Sequence, residues 1–388
     1  MKNNIKPIYL DNNSTTKIDP KVLNEMMPFM TETFGNPSSM EHLYGLEANE
    51  FIEIAREKIS KFINSSPDEI IFTSGATESN NIAILGYLNS VNCNDLHALT
   101  VKTEHKSIIE IFKYLSQRKI KVDYLDVMND GIININQLKK MITSKTKIIS
   151  VMMANNEIGV IQPIKEIGEI CRKKKIFFHV DAAQAIGKIN VDINVLNVDA
   201  MSISSHKLYG PKGIGCLYIN DKNKLVPIYH GGRHEKGLRP GTLAVHNIVG
   251  FGHACEISQN NIKTDKKRIN QLTSFMIDKL KTAFPDIIIN GNLEKRIPGN
   301  INISFPMLEY TPLISNLSKI AISSGASCSS INPAPSHVLK ALGLDKSLIK
   351  STIRIGIGRF NTKQEIIDAS SYIINVVNQL SNKHLEIS

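Results

Sequence analysis

The chain has 388 residues, of which 42% are hydrophobic and 21% are charged. This composition is typical of a globular protein, and the length is sufficient for two domains. No segment approaches the roughly 18 consecutive apolar residues of a membrane helix. Residues 1–7 contain no apolar signal core, so the sequence predicts a cytoplasmic protein without a membrane anchor.

The formal net charge is +10, and most of the positive charge comes from lysine. The densest basic runs, 173–175 and 266–268, contain no interleaved aromatic residues. Such runs are usually solvated helix faces, so they give little support to nucleic-acid binding. An anionic ligand or an acidic protein partner would fit the charge equally well.

The five cysteines are widely spaced, and none forms a Cys-x-x-Cys pair. Neither a zinc site nor a disulfide framework is therefore indicated. Four of them lie in apolar or helical surroundings and are predicted to be buried small hydrophobic residues. These four are Cys93, Cys171, Cys216 and Cys255.

The N-terminal region predicts a short strand and two helices. Residues 9–16 are a strand that ends in a polar cluster, which is typical of turns and helix caps. Asp19 and Pro20 then begin a helix, with apolar residues at helical spacing as far as Met30. A second, longer helix is predicted over about residues 41–63.

Residues 69–73 predict a buried strand that leads through the turn 74–77 into a helix. A strand, a glycine-containing turn and a helix with a hydroxyl near its start are suited to phosphate, because the first N–H groups are free and the helix dipole favours an anion. The Gly-Lys-Ser/Thr ending of a Walker sequence is absent. By itself this pattern is more often a plain connection.

Predicted strands and helices then alternate as far as residue 219, which favours a mostly parallel sheet covered on both faces. Ligands of such sheets bind beyond the carboxyl ends of the strands. Polar side chains stand at those ends and are the strongest evidence for a site. They are Thr77, His105, Asn156, Asp181, Gln184 and Lys207.

The C-terminal part is predicted to form a smaller α+β domain. The polar segment 259–267 is interpreted as a connection, followed by a helix from Ile269. Residues 300–305 alternate and predict a half-buried strand, residues 351–357 predict another, and a capping box at 362–365 begins the last helix. We expect a large domain over 16–258 and a small domain from 1–15 and 259–388.

The polar residues at the strand ends suggest pyridoxal phosphate. Lys207 follows a strand directly, where a lysine can lose its proton and attack a carbonyl. The aldehyde of this cofactor needs such an amine, and its pyridine nitrogen needs a carboxylate, for which Asp181 is the candidate. His105 is a candidate to stack on the ring and move protons.

The motifs then identify a family. The chain resembles the cysteine desulfurases of the NifS/IscS type, which are fold-type I pyridoxal-phosphate enzymes of the class V aminotransferase group. The resemblance extends from Tyr9 to about Thr362. It rests on segments 10–13, 73–78, 104–105, 155–159, 179–182, 205–213, 239–242, 323–328 and 353–354.

The resemblance implies a fold and a role for each site residue. The fold is a seven-stranded, mostly parallel sheet between helices, with a smaller α+β domain. Lys207 holds the cofactor covalently, Asp181 pairs with the ring nitrogen, Gln184 contacts the ring hydroxyl, and His105 and Asn156 lie against the ring. The phosphate ligands implied are Ala76, Thr77, Ser204, Ser205 and His206, with Thr242 contributed from the partner subunit of a homodimer.

The resemblance also implies the substrate chemistry. Arg354, with Asn156, binds the carboxylate of L-cysteine, which suits a guanidinium fork. Cys328 takes the sulfur as a persulfide, leaves alanine and passes the sulfur to an acceptor such as an iron–sulfur cluster scaffold or a tRNA-thiolation protein. Cys328 is also a candidate ligand of a cluster shared with that scaffold. It lies among small and polar residues, where a mobile loop is expected.

The chain departs from the family pattern in the order of Ala326 and Ser327, in Arg233 where glycine is common, and in ending soon after the last predicted helix. Two alternatives stay open. One is another fold-type I enzyme, a selenocysteine lyase or an aminotransferase, although an aminotransferase has no use for a nucleophilic thiol such as Cys328. The other is a basic RNA- or protein-binding module on a decayed scaffold.

Overall fold

The computed structural model describes residues 6–91, 95–220, 225–308, 313–324 and 335–385. The strands are β1 (Ile8–Tyr9), β2 (Ile70–Thr73), β3 (His97–Val101), β4 (Lys121–Leu125), β5 (Thr146–Met152), β6 (Phe177–Asp181), β7 (Ala200–Ser204), β8 (Gly215–Ile219), β9 (Ile288–Ile289), β10 (Asn300–Ser304), β11 (Ile320–Ala321), β12 (Ser323–Ser324) and β13 (Thr352–Gly356). The α-helices are α1 (Pro20–Met26), α2 (Pro28–Thr31), α3 (Leu43–Ile63), α4 (Ala76–Ser90), α5 (Lys106–Gln117), α6 (Ile135–Met141), α7 (Ile164–Lys174), α8 (Ile193–Leu196), α9 (Val245–Ala283), α10 (His337–Ala341), α11 (Lys346–Lys350) and α12 (Lys363–Leu385).

A seven-stranded sheet forms the centre of the molecule, with strand order β2-β8-β7-β6-β5-β3-β4. Only β8 runs against its neighbours, β2 and β7; the other pairs are parallel. Successive side chains of a strand point to opposite faces of this sheet and pack in different apolar clusters. Ile71 and Phe72 of β2 are an example. Strands buried on both faces need near-continuous apolar sequences, which is why the runs in this sequence were recognisable. The predicted fold class is confirmed.

The connectivity places several chain turns at one edge of this sheet. Strands β2, β3, β5, β6 and β7 all point the same way, so their carboxyl ends meet there. Helix α4 begins directly after β2, and His105 caps α5 after β3. The site described below lies at this edge.

A smaller sheet, with order β12-β13-β10-β9, is antiparallel, and β1 pairs with β11 nearby. A separate apolar cluster covers it and contains residues of α9, α12 and both strands of the β10–β13 pair. Leu10 belongs to this cluster, as expected if the N-terminus packs with the C-terminal part. The division of the chain at residue 258 stays a prediction.

The connection predicted at 259–267 is wrong, because α9 is one helix of 39 residues that continues through it. The sequence from His253 to Ala283 contains neither glycine nor proline, so nothing interrupts the helix. Its first part packs in the cluster of the large sheet and its last part in that of the small sheet. The polar residues of 259–267 occupy its mostly exposed middle.

Two further expectations need correction. The first predicted helix is divided into α1 and α2 at Pro28, since proline lacks the N–H that would continue the hydrogen-bond ladder. Strand β10 is buried at every residue rather than half-buried. Its polar residues Asn300 and Asn302 are buried because both donate to the main-chain oxygen of Glu157, at 3.2 and 3.3 Å.

Cys171, Cys216 and Cys255 are buried, as predicted, whereas Cys93 lies outside the described residues. Within the described parts of the chain, no helix combines the length and the apolar character that crossing a membrane requires.

Candidate active site

A cavity of about 1230 Å³ opens at the carboxyl edge of the large sheet and is closed on one side by strands of the small sheet. It brings together residues that are far apart in the sequence. Among the predicted site residues, the cavity is lined by Ala76, Thr77, His105, Asn156, Asp181, Gln184, Ser204, His206, Lys207 and Arg354.

Lys207 lies in a short 3₁₀ turn directly after β7. Its Nζ donates to the main-chain oxygens of Asn13, at 2.8 Å, and Ser14, at 2.5 Å. Burial lowers the pKa of this amine to about 8, and the positive charge of Arg354 acts in the same direction. Asp11 and Asp181 oppose the shift. A substantial fraction of the amine is therefore neutral, and nucleophilic, near neutral pH.

Asp181 ends β6 and is 5% exposed. Its two carboxylate oxygens accept hydrogen bonds from Asn80 Nδ2 at 3.1 Å and from the Ala183 N–H at 3.0 Å. These donors fix the carboxylate at the floor of the cavity. A buried carboxylate held in this way can keep a protonated ring nitrogen charged.

His105 caps α5, and its ring lines the cavity. The Ser107 N–H donates to Nδ1 at 3.2 Å, so Nδ1 carries the lone pair and Nε2 carries the proton in the neutral ring. Desolvation in the cleft lowers the pKa of His105, and the charge of Lys207 adds to this while Asp181 opposes it. The ring is accordingly neutral at pH 7 and suited to stacking on a flat ligand.

The start of α4 forms one end of the cavity. Gly75 precedes it with φ of +147°, a conformation that only glycine adopts without strain. The acidic first-turn residue Glu78 accepts from the Ser74 N–H at 2.5 Å and from Arg239 Nε at 3.1 Å, so its charge is balanced. The free N–H groups of the first turn can then bind an anion.

The segment after β7 lies opposite the start of α4 and forms the other wall at this end of the cavity. His206 Nδ1 lies 3.0 Å from Thr15 Oγ1. Burial, with nearby lysine charges, lowers the pKa of His206 to about 4, so the ring is neutral and can donate one hydrogen bond. Ser204 and Lys212 also line the cavity here, and the lysine adds positive charge.

Arg354 projects from β13 into the opposite side and is 7% exposed. Its Nη1 donates to the Asn156 main-chain oxygen at 3.0 Å. Its Nη2 donates to Asp11 Oδ1 at 2.8 Å and lies within 2.9 Å of the hydroxyls of Ser14 and Ser323. Nε is buried without a hydrogen-bond partner.

Several cavity residues were missed by the sequence reasoning. Glu157 accepts from Ser336 Oγ at 2.5 Å, and burial raises the pKa of its carboxyl to about 7. His337 donates from Nε2 to the main-chain oxygen of Glu104 at 2.8 Å. Ser14 lines the cavity and Asp11 binds Arg354 beside it, and neither was assigned a role from the sequence. The signal was present there, since the run 11–17, which follows a strand, contains only polar residues.

Three predicted residues are not brought to the cavity by the described structure. Ser205 is fully buried behind it, and its Oγ has no hydrogen-bond partner; the close approach of Gly210 encloses it. Thr242 is exposed and does not line the cavity of its own chain, which leaves its predicted role toward a partner subunit as a prediction. Cys328 lies outside the described residues. No cluster of metal-binding side chains occurs among the residues that are described.

This combination of fold and site is that of a transferase-type α/β enzyme. The chain belongs to the class-V aminotransferase family, whose model matches residues 8–368. It is 45% identical over 377 residues to the cysteine desulfurase IscS of Ehrlichia chaffeensis, an alignment that covers 96% of this chain and 92% of that protein. The resemblance drawn from the motifs is thereby confirmed.

Solved structures give the same result. A NifS-like protein has a TM-score of 0.90 at 37% identity, with 96% of this chain and 99% of that chain covered. A structure described as SspA in complex with cysteine has a TM-score of 0.81 at 33% identity, with coverages of 92% and 100%.

Proposed function

We propose that this protein is a pyridoxal-phosphate-dependent cysteine desulfurase. It removes sulfur from L-cysteine, releases L-alanine and holds the sulfur as a persulfide on Cys328 for transfer to an acceptor protein, such as an iron–sulfur cluster scaffold. The observation that carries this proposal is the convergence of Lys207, Asp181 and Arg354 in one cavity. Relatives and structural neighbours named as cysteine desulfurases or NifS-like proteins support it.

The residues present fit the proposed cofactor at each of its functional groups. The α4 N-terminus, Ser204 and His206 would hold the phosphate, and Asp181 would pair with the ring nitrogen. His105 offers a neutral face for the ring. Lys207 supplies an amine of lowered pKa for the aldehyde. When bound, pyridoxal phosphate supplies an electron sink conjugated to the carbon that carries the substrate amine.

The protein residues then have defined tasks. Arg354 would orient the substrate carboxylate, with its guanidinium plane fixed by the Asn156 main-chain oxygen and by Asp11. Lys207, with a pKa of about 8, can accept a proton from the substrate and return one, as a general base and acid near neutral pH should. The buried Asn80–Asp181 hydrogen bond keeps the carboxylate in place while charge develops nearby.

The sulfur step balances without an external oxidant. The carbon–sulfur bond of cysteine breaks, a sulfur–sulfur bond forms on Cys328, and the carbon that loses sulfur gains a proton, which yields alanine. The thiolate is the nucleophile, so Cys328 must be deprotonated before it attacks.

We further propose that the enzyme is a homodimer. Large apolar side chains between residues 23 and 54 remain exposed on this chain, which is unusual for a monomer surface. Phe34 and Leu43 are 65% and 66% exposed. A second copy of the chain would cover this face and bring Thr242 to the neighbouring site. Sedimentation analysis of the wild type and of Leu43→Glu tests this. The wild type should sediment as a dimer and the variant should shift toward monomer. A wild type that sediments as a monomer would reject the proposal.

The desulfurase proposal is tested with Cys328→Ala and Lys207→Ala. The purified wild type should be yellow, convert L-cysteine to alanine and sulfide with a reductant present, and carry the cofactor on Lys207 after borohydride reduction and peptide mapping. Cys328→Ala should keep the bound cofactor and lose sulfide release. Lys207→Ala should lose the covalent label. Full sulfide release by Cys328→Ala would overturn the proposal, and Cys171→Ala serves as the matched cysteine control.

A further inference from the structure

Lys188 lies behind the cavity wall, four residues after Gln184 in the turn segment that follows β6. Its Nζ donates to Gln184 Oε1 at 2.8 Å. The other end of the same amide, Nε2, donates to the main-chain oxygen of Asn13 at 2.7 Å. Gln184 Oε1 also accepts a longer contact from Asn13 Nδ2, at 3.4 Å. That oxygen also accepts from Lys207 Nζ at 2.8 Å. The two lysines are therefore connected through one amide and one carbonyl oxygen.

Placing a second amine here is costly for the fold. The Lys188 side chain is partly buried, and the charges that act on it most are those of Lys207 and Arg354. Burial together with these two positive charges lowers the pKa of Lys188 to about 7. A lysine with only a packing role is normally found with its amine in water. The hydrogen bond to Gln184 instead turns the Lys188 amine toward the protein.

We propose that Lys188 is a positioning residue that, together with Asn13, fixes the side-chain amide of Gln184 with Oε1 turned away from the cavity and Nε2 turned toward it. With the amide reversed, Gln184 Oε1 would face the Asn13 oxygen, so two acceptors would meet. Its NH₂ group would at the same time face the donor hydrogens of Lys188. Both contacts are unfavourable in a buried site, and only the observed orientation satisfies all the groups.

The consequence for the site rests on the proposed function. Gln184 Nε2 has two hydrogens, and Asn13 accepts one of them. The other would be available to the ring oxygen of a bound cofactor. A donor there would stabilise the anionic form of that oxygen and would make the Lys207 nitrogen release its proton more readily in the loaded enzyme. Lys188 thus acts on Lys207 by way of Gln184 rather than by contact with the substrate.

The test is a double-mutant cycle on the loaded enzyme, read by the pH titration of its visible absorbance rather than by activity. Lys188→Met should raise the midpoint pH of this absorbance titration. The shift should correspond to a roughly three- to tenfold gain in the proton affinity of the Lys207 nitrogen, which is the size expected for the loss of one hydrogen bond. Gln184→Leu should raise it as well. In the Gln184→Leu background, Lys188→Met should add little, because the amide through which it acts is gone.

The double-mutant cycle distinguishes an effect of the Gln184 amide orientation from an effect of the Lys188 charge. If Lys188 acted only by its positive charge, Lys188→Met would shift the midpoint equally in both backgrounds, and the proposal would be overturned. An unchanged midpoint in Lys188→Met alone would overturn it too. Lys188→Leu is made in parallel, in case Lys188→Met does not fold. Thermal unfolding shows which of the two variants is folded, and that variant completes the cycle. Lys173→Met, in an exposed lysine run, controls for the loss of one charge.

Failure of this inference is distinguishable from failure of the proposed function. A wild type without any visible band would overturn both. A wild-type band that titrates normally and is insensitive to position 188 would overturn only the role of Lys188. Crystal structures of Lys188→Met provide a second readout, since the expected loss of a unique amide orientation would appear as altered contacts of Gln184 with Asn13.

Discussion

The guanidinium of Arg354 donates to the carboxylate of Asp11 at 2.8 Å, although the two residues are 343 positions apart. This ion pair joins the N-terminal polar cluster to β13, and both side chains are largely buried. The ion pair, together with the Asn156 carbonyl, holds the guanidinium before any substrate arrives. Preorganisation of this kind lowers the entropic cost of binding a carboxylate.

Arg354→Lys should weaken substrate binding strongly. A lysine cannot contact Asp11, the Asn156 oxygen and a carboxylate in one plane, as the planar fork of arginine can. We expect KM for L-cysteine to rise about 10- to 100-fold, as expected for the loss of one or two charge-assisted hydrogen bonds. Steady-state kinetics measure this. Arg172→Lys on the exposed surface of α7 is the control, and an unchanged KM in Arg354→Lys would argue against the assignment.

The lowered pKa of Lys207 predicts how the apoenzyme takes up pyridoxal phosphate. Only the neutral amine attacks an aldehyde, so the rate should rise tenfold per pH unit below pH 8 and level off above it. Stopped-flow absorbance between pH 7 and pH 10 measures the midpoint. A midpoint near the ordinary lysine value of 10.5 would show that neither burial nor Arg354 acts on the amine. Arg354→Gln should move the midpoint upward, because one of the two causes of the shift is removed.

Asn302 predicts a stability effect. Its side chain donates to the Glu157 oxygen at 3.3 Å and accepts from Asn290 Nδ2 at 2.7 Å, with no exposure to solvent. Asn302→Ala leaves buried polar groups without partners, so we expect a loss of about 1–3 kcal/mol in the free energy of unfolding. Urea denaturation measures it. The exposed Asn261→Ala on α9 should change stability by less than about 0.5 kcal/mol.

A fourth prediction concerns the buried pair of Arg56 and Glu235. The carboxylate accepts from Arg56 Nη1 and Nη2 at 2.9 and 2.8 Å and from the Phe72 N–H at 2.6 Å. Glu235→Ala removes these contacts and leaves the buried guanidinium with the half-exposed Glu53 as its remaining carboxylate partner, which should cost about 3–5 kcal/mol. In contrast, Glu256→Ala breaks a half-exposed pair with Lys58 and should cost about 0–1 kcal/mol.

The Glu235 variant also tests the segment that leads to Thr242. If Glu235 anchors that segment, Glu235→Ala should weaken pyridoxal phosphate binding as well as stability, whereas Glu256→Ala should not. Equilibrium dialysis of the cofactor against both variants separates the two effects. Equal cofactor affinity in a destabilised Glu235→Ala would restrict Glu235 to a structural role.

Much of the fold could be predicted because the buried strands carry uninterrupted apolar runs and the helices between them show helical periodicity. The ends of β2, β3, β6 and β7 were recognisable from polar residues placed directly after such runs. Lys207, Asp181 and His105 were therefore found from local patterns together with the rule that parallel strands end at a common edge. The motif resemblance added Arg354, which no local pattern singled out.

The remaining features depend on contacts between distant segments. The burial of Asn300 and Asn302 depends on an acceptor more than 140 positions away, so alternation alone predicted an exposed face. The polar middle of α9 resembles a linker in composition, and only its two packed ends explain why it stays helical. The contact of Lys188 with Gln184 follows helical spacing, but its burial depends on the N-terminal cluster around Asn13.

The continuity of α9 has a consequence for how the protein can be divided experimentally. A cut near residue 258 would sever a hydrogen-bonded rod whose two ends each complete a different apolar core. Fragments produced at that point would each expose a stripe of the helix to water and should aggregate rather than reassemble. Severing the chain in an exposed turn such as 118–119 leaves both cores their share of the helix and offers the better route to a split enzyme.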